Sequence, residues 1–428
     1  MHKQSKHVGI TTVIFGAMAL LSGSVAMADT LDVPPFVAGN LATATSVNTA
    51  FETVESSVND NDGRITSIEQ RLVPLENSLN GEVVTVDCST DSAALKNLTL
   101  TPNTTYTLTG ICDGQIIVGA GLGTINIESD GTGGPDGITL QAGETDADTV
   151  FAAIYGNNGV RLILTNLVIT VDSSYNAVDD LYIAGVGSYW GARVILDQVS
   201  VVGGDEGISA YNNGMISVWE GVTITGFRDA GIKASRASVI RVNDPVTVTG
   251  GSNQEGTNSE AIVGLDGGVV AMTGGGTITP ASGTGISAAL ETSAAISAFR
   301  NGVITVSDIT LNGSVWSGES STVDLRNVTQ SGGNLDIYRN SVLRVRASNV
   351  SGAAGDVIWA GAFSTIRMDD TTIGNASGTE TINLYSYGII DLRVLSGTMD
   401  MNFRDINCSD PRSVRLFGAI SNQGNISC

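Results

Sequence analysis

The chain has 428 residues, with 43 acidic against 21 basic side chains and a formal net charge of −22. A surface this acidic repels nucleic acid and anionic lipid, so neither is an expected partner. It suits divalent cations, or solubility in salty water.

Residues 1–28 have the pattern of a secretory signal peptide. Lys3 and Lys6 precede the apolar run VGITTVIFGAMALL, and small residues follow at Ala26 and Ala28. The run is shorter than the ~20 apolar residues of a membrane anchor, and no later segment is long and apolar enough to span a bilayer as a helix. We therefore predict an extracellular or cell-surface protein, with the periplasm as the alternative. Cleavage would change the net charge from −22 to −24 and remove both histidines.

A linker over residues 29–45 leads to a predicted coiled coil over residues 46–80. Apolar residues recur there at alternating steps of four and three, and Asn61 fills the one polar position. These residues are Val47, Phe51, Val54, Val58, Ile65, Ile68, Leu72, Leu75 and Leu79. A lone helix would drift off this heptad, which favours self-association, and we expect a trimer rather than a dimer. Gly63 and Pro74 weaken the pattern, and the alternative is a single helix packed on the following domain.

The rest of the chain repeats one sequence pattern. GISAYNNGMISVWEGVTITG (207–226) and AISAFRNGVITVSDITLNG (295–313) each contain three short apolar alternations separated by Gly and Asn turns. Eleven turn residues align, most of them 18 to 25 positions apart: Gly159, Gly191, Gly214, Ser238, Gly268, Gly302, Ser320, Ser341, Ser364, Gly388 and Ser413. The wider spacings, such as Gly268 to Gly302, hold either a longer loop or an extra coil. This period and composition predict an all-β, single-stranded parallel β-helix of about 11 coils. Ile216 and Ile240 should then lie one above the other.

The four cysteines form two local pairs in the sequence. Cys88 lies near Cys112, and Cys408 lies near Cys428. Export favours disulfides, and local pairing would place one near each end of the β-helix. The sequence alone leaves cross-pairing open.

Two segments carry a resemblance to a known group of proteins. VDCSTDSAALKNLTLTPNTTYTLTGICDGQIIV (86–118) resembles the N-terminal cap of secreted bacterial right-handed parallel β-helix proteins of the pectate-lyase-like superfamily, and GNISC (424–428) is similar to their last coil. The resemblance covers residues 84–428 and implies a right-handed β-helix. The superfamily includes pectate lyases, polygalacturonases, phage tailspikes and proteins without activity, so the fold does not choose a function.

Catalytic signatures are sparse. Of the polygalacturonase-like motifs the chain has only paired aspartates, at Asp179–Asp180 and Asp369–Asp370, and cleavage of the signal peptide leaves no histidine for a Ser–His or Cys–His system. We predict no catalytic residue.

A calcium-dependent polysaccharide lyase is the alternative function. Aligned turns stack Asn166 with three carboxylates, Asp197, Glu220 and Asp244, which would repel one another unless Ca²⁺ bound. Ca²⁺ is therefore the candidate cofactor, and Arg193 and Arg241 are the candidate bases. The competing interpretation is a solvated turn whose side chains fan outward.

Four aromatic residues form a candidate sugar-binding strip: Tyr189, Trp190, Tyr211 and Trp219. Aromatic faces suit sugars because they offer apolar area beside polar edges. The competing interpretation is burial beneath a loop. The sequence thus predicts an exported β-helix scaffold that presents a face to carbohydrate or to a partner protein.

Overall fold

A computed structural model describes residues 81–141, 152–172, 183–251, 259–280, 294–351, 356–374, 381–395, 399–402, 405–421 and 425–428. They belong to one compact unit, Asn80–Cys428. The predicted signal peptide, linker and coiled coil lie outside the described residues, as does the pair Asp179–Asp180.

The described chain is almost entirely β-strand. Its first part contains α1 (Ala94–Asn97) and strands β1 (Val83–Asp87), β2 (Thr105–Thr109), β3 (Ile111–Asp113), β4 (Ile116–Val118), β5 (Thr124–Ser129), β6 (Gly137–Leu140), β7 (Ala152–Asn157), β8 (Arg161–Thr165), β9 (Val168–Val171), β10 (Ala184–Tyr189), β11 (Arg193–Asp197), β12 (Ser200–Gly203) and β13 (Glu206–Tyr211). The middle part contains β14 (Met215–Val218), β15 (Thr223–Thr225), β16 (Ala230–Ser235), β17 (Val239–Val242), β18 (Val246–Thr249), β19 (Glu260–Leu265), β20 (Val269–Met272), β21 (Gly276–Thr279), β22 (Ala294–Phe299), β23 (Val303–Ser307), β24 (Ile309–Asn312) and β25 (Ser314–Ser317). The last part contains β26 (Thr322–Arg326), β27 (Thr329–Ser331), β28 (Leu335–Ile337), β29 (Val342–Arg346), β30 (Asn349–Ser351), β31 (Asp356–Ala360), β32 (Thr365–Asp369), β33 (Thr372–Gly374), β34 (Thr381–Leu384), β35 (Ile389–Arg393), β36 (Met399–Asn402), β37 (Asp405–Cys408), a 3₁₀ turn (Pro411–Ser413), β38 (Val414–Phe417), β39 (Ile420–Ser421) and β40 (Asn425–Ser427).

These strands form three parallel sheets. Sheet A holds 14 strands, namely β1, β2 and then every third strand from β5 to β38. Sheets B and C hold 13 strands each, every third strand from β3 to β39 and from β4 to β40. The chain therefore runs from sheet A to B to C and returns to A one layer further on, which is a parallel β-helix. This confirms the predicted fold class.

Apolar columns fill the interior. Ile216 pairs with Ile240 in register, as predicted, and both side chains are fully buried. The same column of sheet A continues through Leu162, Val194 and Val270, which are equally buried. β-Branched side chains suit this pleated, enclosed surface, and each fully buried Val or Ile stabilises the fold by about 1.5–3 kcal/mol.

The second residues of the sheet C strands β13 and β16 are glycines, and the space there admits no larger side chain. A Cβ atom added to Gly207 would collide with the side chain of Ile224 and lie 2.6 Å from the carbonyl oxygen of Gly231. A Cβ atom on Gly231 would in turn lie 2.8 Å from the carbonyl oxygen of Ala261. Glycine at these positions thus lets sheets B and C approach each other closely.

The number of coils differs from the prediction. Each aligned turn residue lies one or two positions before a sheet A strand, beginning with Gly159 before β8. However, β2 to β40 form thirteen coils, because β2 to β7 already make two coils before Gly159. The alignment of turn residues missed these two coils because they belong to the cap segment, whose turns do not follow the repeated sequence pattern.

The two disulfides join Cys88 to Cys112 and Cys408 to Cys428, as predicted. They close short stretches of chain, with sequence separations of 24 and 20 residues. Each is expected to stabilise the fold by about 3 kcal/mol through the unfolded chain. In the part of the chain that the structure describes, no helix has the length and apolarity needed to cross a membrane.

Candidate functional site

The connection from each sheet C strand to the next sheet A strand, here called the C–A corner, is a tight turn built on left-handed residues. Consecutive residues with positive φ occur in successive coils, among them Arg339 (56°) with Asn340 (62°) and Ala362 (50°) with Phe363 (64°). Their backbone N–H groups donate to the next coil: Asn340 to the carbonyl of Ala362 at 2.9 Å, and Phe363 to the carbonyl of Ser386 at 3.1 Å. The hydrogen-bonded ladder therefore continues around the corner.

Aromatic side chains lie at this corner in two late coils, with Trp359 in β31 just before the turn and the other three in the turns themselves. The aromatic ridge consists of Trp359, Phe363, Tyr385 and Tyr387, whose exposed fractions are 44%, 64%, 48% and 60%. The rings of Trp359 and Tyr385 lie 5.3 Å apart, and those of Phe363 and Tyr387 stack at 5.2 Å with an interplanar angle of 11°. Bulky residues in the left-handed region are uncommon and cost free energy, and Phe363 and Tyr387 both adopt it. Exposed aromatic rings grouped in this way are a candidate interaction surface.

The same corner is charged in the preceding coils. Arg300 pairs with Asp266 at 3.2 Å, and Arg339 pairs with Glu319 at 2.6 Å while its guanidinium lies 5.8 Å from the ring centroid of Tyr338. A shallow groove of ≈ 650 Å³ runs along these turns. Polar groups that donate and accept hydrogen bonds therefore line the corner on the N-terminal side of the aromatic ridge.

The predicted aromatic strip is divided between two corners. Tyr189 pairs in register with Tyr211, and its ring lies 5.8 Å from that of Trp190. Tyr189 is buried, whereas Trp190 is 42% exposed. Trp219 follows the end of β14 and lies at the opposite end of that strand from Tyr211, at the turn from sheet A to sheet B. The structure thus brings three of the four residues together at the C–A corner and places Trp219 elsewhere.

A cluster of charged residues lies on the outer face of sheet C, at the start of its strands. The guanidinium of Arg228 contacts a carboxylate oxygen of Asp205 at 2.6 Å. The ammonium of Lys233 contacts Glu206 at 2.5 Å and Asp229 at 3.5 Å. Asp205 and Glu206 are buried, and the side chains of the others are less than one-fifth exposed.

Burial changes the proton affinity of this cluster. It raises the pKa of Asp229 to about 6, with further repulsion from Glu206, and that of Glu260 to about 7, with further repulsion from Asp229. Burial opposes the charged form of Lys233, but the Glu206 and Asp229 carboxylates outweigh it and raise the pKa of that ammonium. Burial and the Glu206 charge also raise the pKa of Tyr189 well above its usual value. Carboxyl groups that titrate near neutral pH can transfer protons, and they also make stability depend on pH.

The predicted carboxylate ladder is only partly in register. Asp197 pairs with Thr165, so Asn166 lies one position later and the predicted stacking of Asn166 with Asp197 is wrong by one residue. The N–H groups of Asn166 and Gln198 donate to the carbonyls of Asp197 and Glu220, so these two acidic residues hold equivalent positions in consecutive coils.

The side chains of the ladder face solvent to different degrees. Glu220 is exposed, and Asp197 and Asp244 are intermediate. Among the described residues, no group of three or more His, Cys, Asp or Glu side chains lies close enough to hold a metal ion. Asp197, Glu220 and Asp244 therefore do not form such a group. The proposed bases Arg193 and Arg241 are exposed on the outer face of sheet A.

Sequence reasoning missed the aromatic ridge and the charged cluster, although signals for both were present. In the repeats VIWAGAFSTIRMDD and INLYSYGIIDLR, Phe363 and Tyr387 occupy the second left-handed turn position, where most other coils have Gly, Asn or Ser. Lys233 is one of only two lysines that follow the predicted signal peptide, and it lies within a predicted strand. A lysine at that place was therefore an unusual feature of the sequence. The burial that makes the cluster distinctive depends on neighbouring coils and has no local signature.

The chain was compared with protein-family models, curated proteins and solved structures, and no match was found in any of the three.

Proposed function

We propose that this protein is an exported β-helix scaffold that binds carbohydrate at the aromatic ridge of its late coils. The observation that carries the proposal is the exposure of four aromatic rings at or directly before two consecutive C–A corners, Trp359 with Tyr385 and Phe363 with Tyr387. Exposed rings stack against sugar faces and leave the sugar hydroxyl groups free to contact polar neighbours.

The scaffold supports this role through its rigidity. Each corner turn is hydrogen-bonded to the turn of the next coil, and fully buried columns lie directly beneath the strands. The rings are therefore held in position before a ligand arrives, which reduces the entropy lost on binding. The left-handed backbone at Phe363 and Tyr387 directs both side chains from the tip of the turn.

Two further observations support an extracellular role. The paired cysteines are compatible with an oxidising compartment, because disulfides persist outside the reducing cytosol. The predicted signal peptide at residues 1–28 points to the same location. Self-association through residues 46–80 would multiply the number of ridges and raise the avidity for a polymer.

A calcium-dependent polysaccharide lyase is the alternative that the sequence raised. It would need carboxylates gathered around a cation beside a basic residue. Two carboxylates and a basic group do meet at Glu206, Asp229 and Lys233, but there Lys233 forms ion pairs with both carboxylates. A lyase assay that follows the ultraviolet absorbance of unsaturated sugar ends tests this alternative directly.

Binding to a panel of neutral, uronic-acid and sulfated polysaccharides tests the proposal. The variants Trp359→Ala and Phe363→Ala/Tyr387→Ala remove rings of the ridge, and Trp219→Ala removes an equally exposed ring at another corner. We expect the ridge variants to lose about 10-fold or more in affinity for the polymer that the native protein binds, since each stacked ring contributes about 0.5–1.5 kcal/mol beyond its buried area. Trp219→Ala should bind like the native protein. Full binding by the double ridge variant would contradict the proposal.

A further inference from the structure

The outer face of sheet A carries a concentration of arginines in its last five strands, β26, β29, β32, β35 and β38. The arginine face consists of Arg326, Arg344, Arg346, Arg367, Arg393 and Arg415. Three aspartates, Asp324, Asp369 and Asp391, share these strands, so the face has three more positive than negative charges. This local excess stands out in a chain whose formal net charge is −22.

The two signs of charge lie at different depths. Asp324, Asp369 and Asp391 are buried, with 7%, 4% and 6% of their surface exposed. The arginine side chains bonded to them remain accessible, such as Arg326 at 52% and Arg367 at 40%. A ligand that approaches this face therefore meets guanidinium groups and not carboxylates.

Arginines also stand directly beside arginines. Arg326 pairs in register with Arg346, and Arg344 with Arg367, on neighbouring strands. Like charges in register across a sheet destabilise it, because adjacent strands are only about 4.8 Å apart. Asp324 accepts hydrogen bonds from both Arg326 and Arg346 and offsets one of these contacts.

Two arginines of this face make no ion pair within the described part of the chain, although each is in register with a buried aspartate. Arg344 and Arg415 are exposed, and no ion pair joins either of them to another described residue. The central row of the face contains, in successive coils, Asp324, Arg344, Arg367, Asp391 and Arg415, and the two aspartates of this row are buried. An anion bound at this row would relieve the repulsion between Arg344 and Arg367, and guanidinium groups bind carboxylate and similar oxyanions in a fork geometry.

The geometry favours a linear sugar polymer as the source of these anions. Strands repeat at about 4.8 Å, so guanidinium groups recur along the β-helix axis at multiples of that spacing. Phe363 and Tyr387 of the aromatic ridge lie two residues before β32 and β35, at the edge of the arginine face. The guanidinium of Arg393 also lies 5.2 Å from the ring centroid of Phe417, which is 50% exposed. Stacking rings beside repeated cations suit a polymer that has both sugar faces and regularly spaced acidic groups.

We propose that the arginine face binds the carboxylate or sulfate groups of a linear acidic polysaccharide, directly and without a bridging metal ion. This inference rests on the proposed function, since the aromatic ridge would hold the sugar rings of the same polymer. The net negative charge of the rest of the chain disfavours the binding of a polyanion elsewhere. The arginine face thus makes the scaffold selective for acidic over neutral sugars.

The test measures the affinity of the full chain for a linear polyuronate, a linear sulfated polysaccharide and a neutral polymer, each in the presence of a chelator. Arg344→Gln/Arg415→Gln removes the two unpaired charges and should leave folding intact. Arg161→Gln is the matched control, because Arg161 is also exposed on sheet A, in an early coil. We expect binding to at least one acidic polymer in chelator, a loss of about 10-fold or more in the double variant and no change in the control.

Each result has one meaning. The acidic polymer that binds more tightly identifies whether carboxylate or sulfate is the group recognised. Equal binding of neutral and acidic polymers, or full binding by the double variant, overturns the role of the arginine face but leaves the ridge proposal standing. A requirement for calcium, or binding to anionic vesicles and to no acidic polymer, also overturns it. If no polysaccharide binds the native protein, or if the double ridge variant binds as tightly as the native protein, the proposed function itself fails.

Discussion

The Glu260→Gln variant provides a sharp test of the charged cluster on sheet C. Burial and the neighbouring Asp229 carboxylate raise the pKa of Glu260 from 4.5 to about 7. An acid whose folded pKa is raised stabilises the fold fully below the unfolded pKa, and this stability is lost as pH rises through the folded pKa. The native protein should therefore lose stability between about pH 4.5 and 7 on account of this group. Glutamine keeps the shape of the side chain and never ionises.

The magnitude follows from the two pKa values. A rise of about 2.5 units corresponds to about 3 kcal/mol at 1.36 kcal/mol per unit. At pH 8 Glu260→Gln should be more stable than the native protein by up to this amount, and at pH 4 the two should be equal. For a body of about 350 residues this is a shift in Tm of about 4 °C.

Urea unfolding followed by tryptophan fluorescence at pH 4, 6 and 8 measures this difference. Some pH dependence should remain in the variant, because the pKa of Asp229 is raised to about 6 and acts in the same direction. Glu220→Gln, which changes an exposed carboxyl group, is the control and should alter the free energy of unfolding by less than about 0.5 kcal/mol. If Glu260→Gln is less stable than the native protein at pH 8, the carboxylate is charged and favourably paired, and the reasoning is refuted.

Three other predictions concern the architecture. Ile240→Ala should lower the free energy of unfolding by about 2–5 kcal/mol because it opens a cavity in a stacked column; a loss below about 1 kcal/mol in urea titration would contradict the in-register packing. Gly207→Ala should lower Tm by several degrees, since its Cβ atom would collide with Ile224. An unchanged Tm would show that sheets B and C can move apart at this point. Replacing Cys88 and Cys112 by serine should cost about 3 kcal/mol in the same titration, and no loss would mean that the cap is already held by its strands.

The fold class follows from the sequence because a solenoid repeats one local pattern. Each coil contains short β-branched alternations separated by Gly, Asn or Ser. The aligned turn residues recur mostly 18 to 25 positions apart, as Gly214 and Ser238 do. Nearest-neighbour stacking then requires Ile216 to lie over Ile240, and the structure confirms it. The local pairing of the cysteines follows for the same reason, since residues one coil apart in sequence are adjacent in space.

The candidate sites depend on neighbours in other coils, which the sequence does not specify. Trp190 and Trp219 look equivalent in the sequence, but they lie at different corners because β14 separates Trp219 from the C–A corner. A shift of one residue also places Asp197 beside Thr165 and not beside Asn166, and so changes the predicted metal ladder. Such shifts leave the hydrophobic period almost unaltered, so pattern alone cannot detect them.

The sequence by itself determined the β-helix and its inward columns, because these depend on a local two-residue alternation that most coils repeat every 18 to 25 residues. It favoured local pairing of the cysteines but left cross-pairing open. Only the tertiary structure decided which outward side chains meet. Arg344 and Arg367 are 23 positions apart in the chain but neighbours on sheet A, and Glu206 and Lys233 form an ion pair across two coils. The physical reason is that burial and charge act through space, at distances set by the stacking of coils and by the residues inserted between them.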